Sequence, residues 1–172
     1  QITGERLRCI SRIINHSSTG EGVLTVVTTM DGIADRLIPV ERFKEAVITL
    51  DYSSEIEPEK LAKKLVAMGF VRTGMVEDKG QFAIRGGIID IFSYTDEAPV
   101  RIELWDTEVD SIRMFDVESQ RSIERLQSYS IFPATEYIFT EDELKNGLYN
   151  IKEECDRQLE CFDYGKRKRT KE

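Results

Sequence analysis

Residues 80–116 read GQFAIRGGIIDIFSYTDEAPVRIELWDTEVDSIRMFD, and the fold turns on how this stretch is read. Ile102 and Leu104 alternate with Arg101, Glu103 and Trp105, and a pleated strand sends alternate side chains to opposite faces. The apolar pair therefore marks a core side. Two charges and an indole mark the other side as a contact surface. Arg85 alternates with Ile84 in the same way, facing away from the core side formed by Phe82 and Ile84, and extends the outward row across the sheet.

Working outward, strand patterns cover 47–52, 70–77, 81–92, 100–105, 109–115 and 129–132, most of them joined by short turns. A helix is expected over 57–68, with Pro58 and acids in its first turn, Gly69 at its end, and a stripe of Leu61, Leu65, Val66 and Met68. Runs of strands with one main helix imply an α+β domain, residues 47–134, whose antiparallel sheet has the helix on a single face.

Residues 1–46 read as helix, strand, helix. Leu7, Ile10, Ile13 and Ile14 recur at helical spacing, 17–20 stop the helix, the β-branched run 23–29 suggests a buried strand, and a helical 31–37 ends before Pro39. Such a segment is part of an α/β layer. Residues 135–172 return to helix: Thr140 and Glu143 match a capping box, and Leu144, Leu148, Ile151, Cys155 and Leu159 continue one apolar face that needs something to pack on. The basic run 166–171 is expected as a solvated tail or helix end, with 163–172 frayed.

Composition narrows the function classes. The 172 residues carry 24 basic and 32 acidic side chains, a net charge of −8, which disfavours a general phosphate-binding surface. The longest apolar runs, such as 22–27, are far short of the roughly 20 residues that span a bilayer. Cys9, Cys155 and Cys161 with the single His16 give no zinc spacing, so buried or inert thiols are expected, and His16 reads as a surface or helix-capping residue. No Gly-x4-Gly-Lys-Ser/Thr string is present, and Gly86-Gly87 inside a strand pattern suggests a bulge or a close backbone approach. Asp106, Glu108 and Asp110 read as solvated turn acids.

The row Arg101, Glu103, Trp105 allows two readings: a docking spot in which arginines meet partner carboxylates beside an indole, or an internal Arg101–Glu103 pair with Trp105 packed beneath a loop. Single-stranded nucleic acid stacking on Trp105 is a third.

The strings at 80–92 and 100–116, with Ser119-Gln-Arg-Ser122 and Pro133-Ala-Thr-Glu136, resemble the N-terminal UvrB-homology module of the bacterial transcription-repair coupling factors, the Mfd family. UvrB shares this insert and is the rival, although Arg-Gly-Gly-Ile-Ile-Asp and Phe-Asp-Val-Glu-Ser-Gln-Arg favour the coupling factors. The resemblance implies that 47–134 docks the excision-repair protein UvrA, that 1–46 and 135–172 belong to a RecA-like layer without a nucleotide site, and that the cell compartment is the bacterial cytoplasm. Carried over residue by residue, the UvrA-contacting positions are Arg85, Arg101 and Trp105, tryptophan standing where relatives are expected to have phenylalanine. Glu103 lies in the same row.

For this chain the resemblance implies no catalysis, no cofactor and no metal. For a longer protein it implies an ATP- and Mg-dependent DNA translocase that engages RNA polymerase and double-stranded DNA. On this reading Arg101→Ala or Trp105→Ala is expected to abolish UvrA capture and leave the melting temperature nearly unchanged.

Overall fold

The computed structural model describes the backbone of residues 2–20, 22–34 and 38–169. In chain order the elements are α1 (Ile2–Thr19), α2 (Met30–Ala34), α3 (Val40–Ala46), β1 (Ile48–Asp51), α4 (Pro58–Ala67), β2 (Val71–Arg72), β3 (Gln81–Arg85), β4 (Ile88–Phe92), β5 (Val100–Trp105), β6 (Glu108–Phe115), β7 (Ser122–Arg125), β8 (Ser128–Ile131) and α5 (Glu141–Arg169). The class is α+β. Two compact units divide the chain, Gln1–Ile138 and Phe139–Glu172.

A six-stranded sheet ordered β2-β3-β4-β5-β6-β7 forms the frame, and β1 pairs with β8 in a separate two-stranded sheet. All pairings are antiparallel except the short parallel β2–β3 contact. One face of the large sheet carries Phe82, Ile89, Ile91, Val100, Ile102 and Ile112, each buried and matched across the ladder, as in Ile89 opposite Ile102 and Ile102 opposite Ile112. Against this face pack Leu61, Ala62 and Leu65 of α4 together with Leu50, Tyr129 and Ile131 of the small sheet.

α4 ends in a Schellman arrangement: Phe70 N–H donates to the Leu65 carbonyl and Gly69 N–H to the Val66 carbonyl, both at 3.0 Å. Gly69 supplies the φ of +89° that this requires, and buried Phe70 and Leu65 close the apolar contact of the motif. Leu7, Ile10 and Ile14 of α1 form a second core with Phe43 of α3, and Arg6 of α1 pairs with Glu136 at 2.7 Å.

Several sequence expectations are corrected. The run 23–29 forms no strand, and Val23 and Val27 lie exposed, because among the described residues no neighbouring strand supplies the ladder such a run needs. The pattern 81–92 is two strands, split by Gly86-Gly87 into a tight hairpin with Gly86 at φ +60°. The pattern 70–77 shrinks to Val71–Arg72, after which the chain turns so that Val76 is buried against Ala83 and Phe92. β7 has no apolar alternation and is exposed throughout, so only pairing with β6 reveals it. Ile13 and Val66 are exposed, Ala62 taking the buried place on α4. Cys9 and Cys155 are exposed too, Cys9 lying off the buried stripe of α1; residues 35–37 of the expected 31–37 helix, and the side chains of Cys161 and of the basic run, lie outside what is described.

Gly87 makes the close approach its sequence position suggests. Leu104 N–H donates to the Gly87 carbonyl at 2.8 Å, and a Cβ on Gly87 would sit 2.9 Å from the Leu104 carbonyl oxygen. Gly87→Ala is expected to lower stability by about 1–3 kcal/mol in denaturant unfolding, because backbone rather than a movable side chain stands in the way.

Tyr129, buried in β8, donates its hydroxyl to Asp96 at 2.6 Å. Burial, then the Asp96 charge, push the phenol well above its ordinary value of 10.0. Burial likewise raises the Asp96 carboxyl. A phenol whose folded-state pKa exceeds its unfolded value contributes stability that is fully present below about pH 10 and lost as pH rises beyond it. Melting temperatures measured from pH 8 to 11 are therefore expected to fall above about pH 10. Tyr129→Phe should remove the part of that slope due to this residue.

The second unit contains α5. Its start is a reciprocal capping box, in which Glu143 N–H donates to the Thr140 hydroxyl at 3.2 Å and Thr140 N–H to the Glu143 carboxylate at 2.9 Å. Leu144, Leu148, Ile151 and Leu159 are exposed along it. No described helix is long and apolar enough to cross a membrane.

Candidate docking face

The second face of the large sheet holds the residues singled out in the sequence. Period-two alternation places Ala83 and Arg85 of β3, Asp90 and Phe92 of β4, Arg101, Glu103 and Trp105 of β5, and Arg113 of β6 on it. One end is a small apolar cluster of Val76, Ala83 and Phe92 with Val117. The rest is a ladder of charges that ends at Trp105.

Asp90 is the centre of that ladder. Its carboxylate is 1% exposed. Oδ1 accepts from Arg101 Nε at 2.7 Å, and Oδ2 accepts from Arg101 Nη2 at 2.9 Å and from Arg85 Nη2 at 2.6 Å. Register explains the set: Asp90 lies directly opposite Arg101, and Arg85 reaches it diagonally from the end of β3.

Arg101 is held further by Gln120 Oε1 at 2.8 Å and lies 4.3 Å over the Phe115 ring. Gln120, at φ +58°, donates its amide to the Val117 carbonyl at 2.7 Å, which fixes the acceptor end on Arg101. The carboxylate hydrogen bonds raise the Arg101 pKa above its ordinary value, so its charge is permanent.

Arg101 and Arg113 stand opposite each other on the ladder, a like-charge pairing that would repel if left alone. Each has its own acid. Glu103 accepts from Arg113 Nη2 and, at 2.7 Å, from the hydroxyl of Ser111 opposite it. Within this network of ion pairs three guanidiniums meet two carboxylates, a local excess of one positive charge on a chain of net −8.

The four residues named from sequence thus share one face but differ in kind. Trp105, at the end of β5 beside the Asp106-Thr107 turn, is 80% exposed. The Arg85 side chain is 42% exposed, that of Arg101 only 12%. The alternative of an internal Arg101–Glu103 pair is replaced by Arg101–Asp90 and Arg113–Glu103, and among the described residues no loop covers Trp105. Arg101 is not a free surface fork, so the expectation that its removal leaves the melting temperature unchanged is corrected: a buried carboxylate depends on it.

Asp90, Gln120, Ser111 and Arg113 were absent from the sequence-based site. Asp90 had a legible signal, a lone acid in the apolar run Ile-Ile-Asp-Ile, but its meaning needs the register with Arg101. Among the described residues no group of three or more His, Cys, Asp or Glu could hold a metal. Asp106, Glu108 and Asp110 are exposed around the β5–β6 turn.

The profile of the UvrB interaction domain matches residues 48–137, from β1 through the segment after β8. The chain is 44% identical over 151 residues to a transcription-repair-coupling factor of Bacillus subtilis (strain 168), covering 88% of this chain and 12% of that protein. It is 38% identical over 166 residues to that of Staphylococcus aureus (strain MRSA252), covering 92% of this chain and 14% of the relative, and 40% identical over 146 residues to that of Staphylococcus haemolyticus (strain JCSC1435), covering 85% and 12%. The chain thus spans only a small part of these relatives. With its sheet, hairpins and charged face inside the matched span, the chain belongs to the UvrB interaction domain family, as a module of the kind found in transcription-repair-coupling factors.

Proposed function

We propose that this chain is the UvrA-docking module of a transcription-repair-coupling factor, and that the sheet face carrying Arg85, Arg101, Glu103 and Trp105 is where UvrA sits. The observation that carries the reading is a large indole, 80% exposed, at the end of an arginine ladder with a local excess of one positive charge. Exposed tryptophan and arginine are the side chains most enriched among residues that dominate protein–protein binding energy. The Arg85 guanidinium, held through Nη2 alone, suits a partner carboxylate.

Single-stranded nucleic acid is a weaker fit. The other aromatics on this face, Phe92 and Phe115, are buried, and Phe115 already carries the Arg101 guanidinium. Successive bases would find one stacking platform where such grooves use several.

In a longer protein of this family, the module would link displacement of stalled RNA polymerase from double-stranded DNA to excision repair. ATP and Mg would act in other segments, since these 172 residues contain no phosphate loop. The test is a titration of UvrA against the 172-residue chain, with Trp105→Ala as control. Saturable binding that the control weakens supports the reading. Equal binding by both chains removes this face from the interface.

A further inference from the structure

We propose that Asp90 is the positioning residue of the docking face: braced by Arg101, its one buried carboxylate grips Arg85 and presents it, already oriented, to a single partner carboxylate on the face that ends at Trp105. The proposal rests on the docking reading above and adds the chemistry of what is docked. Its ground is an imbalance. Asp90 accepts three hydrogen bonds from two guanidiniums, while Glu103, the other acid on the ladder, is engaged by Arg113 and Ser111. One carboxylate cannot offset two positive charges, and the surplus is placed at Arg85, the more exposed of the two.

The arginines differ in freedom. Arg101 is fixed by Asp90 at Nε and Nη2, by Gln120 at Nη2 and by the Phe115 ring. Arg85 touches Asp90 through Nη2 alone and stands at the turn end of the β3–β4 hairpin, next to Gly86. Arg101 thus acts as a brace for Asp90. Asp90 in turn holds Arg85 with its remaining N–H donors available to a partner acid in a bidentate pair. Holding a flexible side chain in its bound geometry lowers the ordering cost of association.

The idea makes a prediction of opposite sign to simple charge attraction. Asp90→Asn removes a negative charge and makes the face more positive. If net charge alone drew in an acidic partner, association would quicken and binding tighten. If Asp90 positions Arg85, binding weakens although the face is more attractive.

The experiment measures association and dissociation rates of UvrA with the parent chain, Asp90→Asn and Asp90→Glu, at a temperature where the amide NMR spectra show all three folded. In parallel, hydrogen exchange at the Arg101 Nε–H is read in the free chains. Asp90→Asn is expected to weaken binding roughly tenfold or more, through faster dissociation with association unchanged or faster, and to speed Arg101 Nε–H exchange. Asp90→Glu, which keeps the charge but moves the carboxylate, is expected to weaken binding in the same direction. Unchanged or tighter binding by either variant overturns the proposal. If the parent chain binds no UvrA, the docking reading falls on its own, and the exchange measurement still decides the role of Asp90: protection lost in Asp90→Asn supports it, protection retained overturns it.

Discussion

Arg101→Ala is expected to destabilise the folded chain by about 3 kcal/mol in denaturant unfolding, a large fraction of the stability of a domain this size. An exposed ion pair would contribute only about 0–1 kcal/mol, and its loss would be hard to measure. What decides between the two figures is the burial of the partner. The Asp90 carboxylate is 1% exposed, and removing Arg101 takes away two of its three hydrogen bonds, leaving only the single bond from Arg85, whose side chain is 42% exposed at the turn end of a hairpin. With Arg101 in place the carboxylate is shut off from water. Adding Asp90→Ala to the Arg101→Ala chain should then cost less than Asp90→Ala costs the parent, since the unpaired charge is gone. A loss under about 1 kcal/mol for Arg101→Ala would mean that water reaches Asp90 and that the pair behaves as a surface pair.

Trp105→Ala is expected to act on binding and not on folding. The indole is 80% exposed, so truncating it removes little buried area, and unfolding should shift by no more than about 0.5 kcal/mol. Against UvrA the loss should be about 2 kcal/mol or more, roughly a 30-fold rise in Kd, because the docked indole would leave water as a central anchor. Calorimetry or surface-based binding alongside a thermal melt reads both numbers from one preparation. A change in Kd below about threefold would show that the indole stays wet in the complex or lies outside it. Arg101→Ala and Trp105→Ala thus separate two roles that the sequence places side by side in one alternating strand, a brace for the sheet face and an anchor for a partner.

Much of the frame was legible. The periods of β5, β6 and α4, the Pro58 and Gly69 boundaries of that helix, and the Thr140–Glu143 box all act over a few neighbouring residues, and such signals survive in sequence. The misreadings share a cause. The run 23–29 has strand composition, yet a strand exists only with a partner ladder, and the same residues lie exposed without one. β7 is the converse, a charged segment made a strand by pairing with β6. At Gly86-Gly87 the sequence showed the interruption without saying whether it bends a strand or reverses it.

By itself the sequence determined that the chain is an α+β domain with a sheet carrying an apolar side and a charged side, and that Arg85, Arg101, Glu103 and Trp105 belong to the charged one, because alternation along a strand is a local property. Only the tertiary structure decided what those residues do there. Register across three strands sets Asp90 opposite Arg101 and within reach of Arg85, and burial makes that carboxylate depend on both, so that one arginine is committed to the protein's own sheet while the indole two turns of alternation further along stays open to water. Pair energies depend on which residues meet and on how much solvent they retain, and neither is written in the order of residues along a single strand.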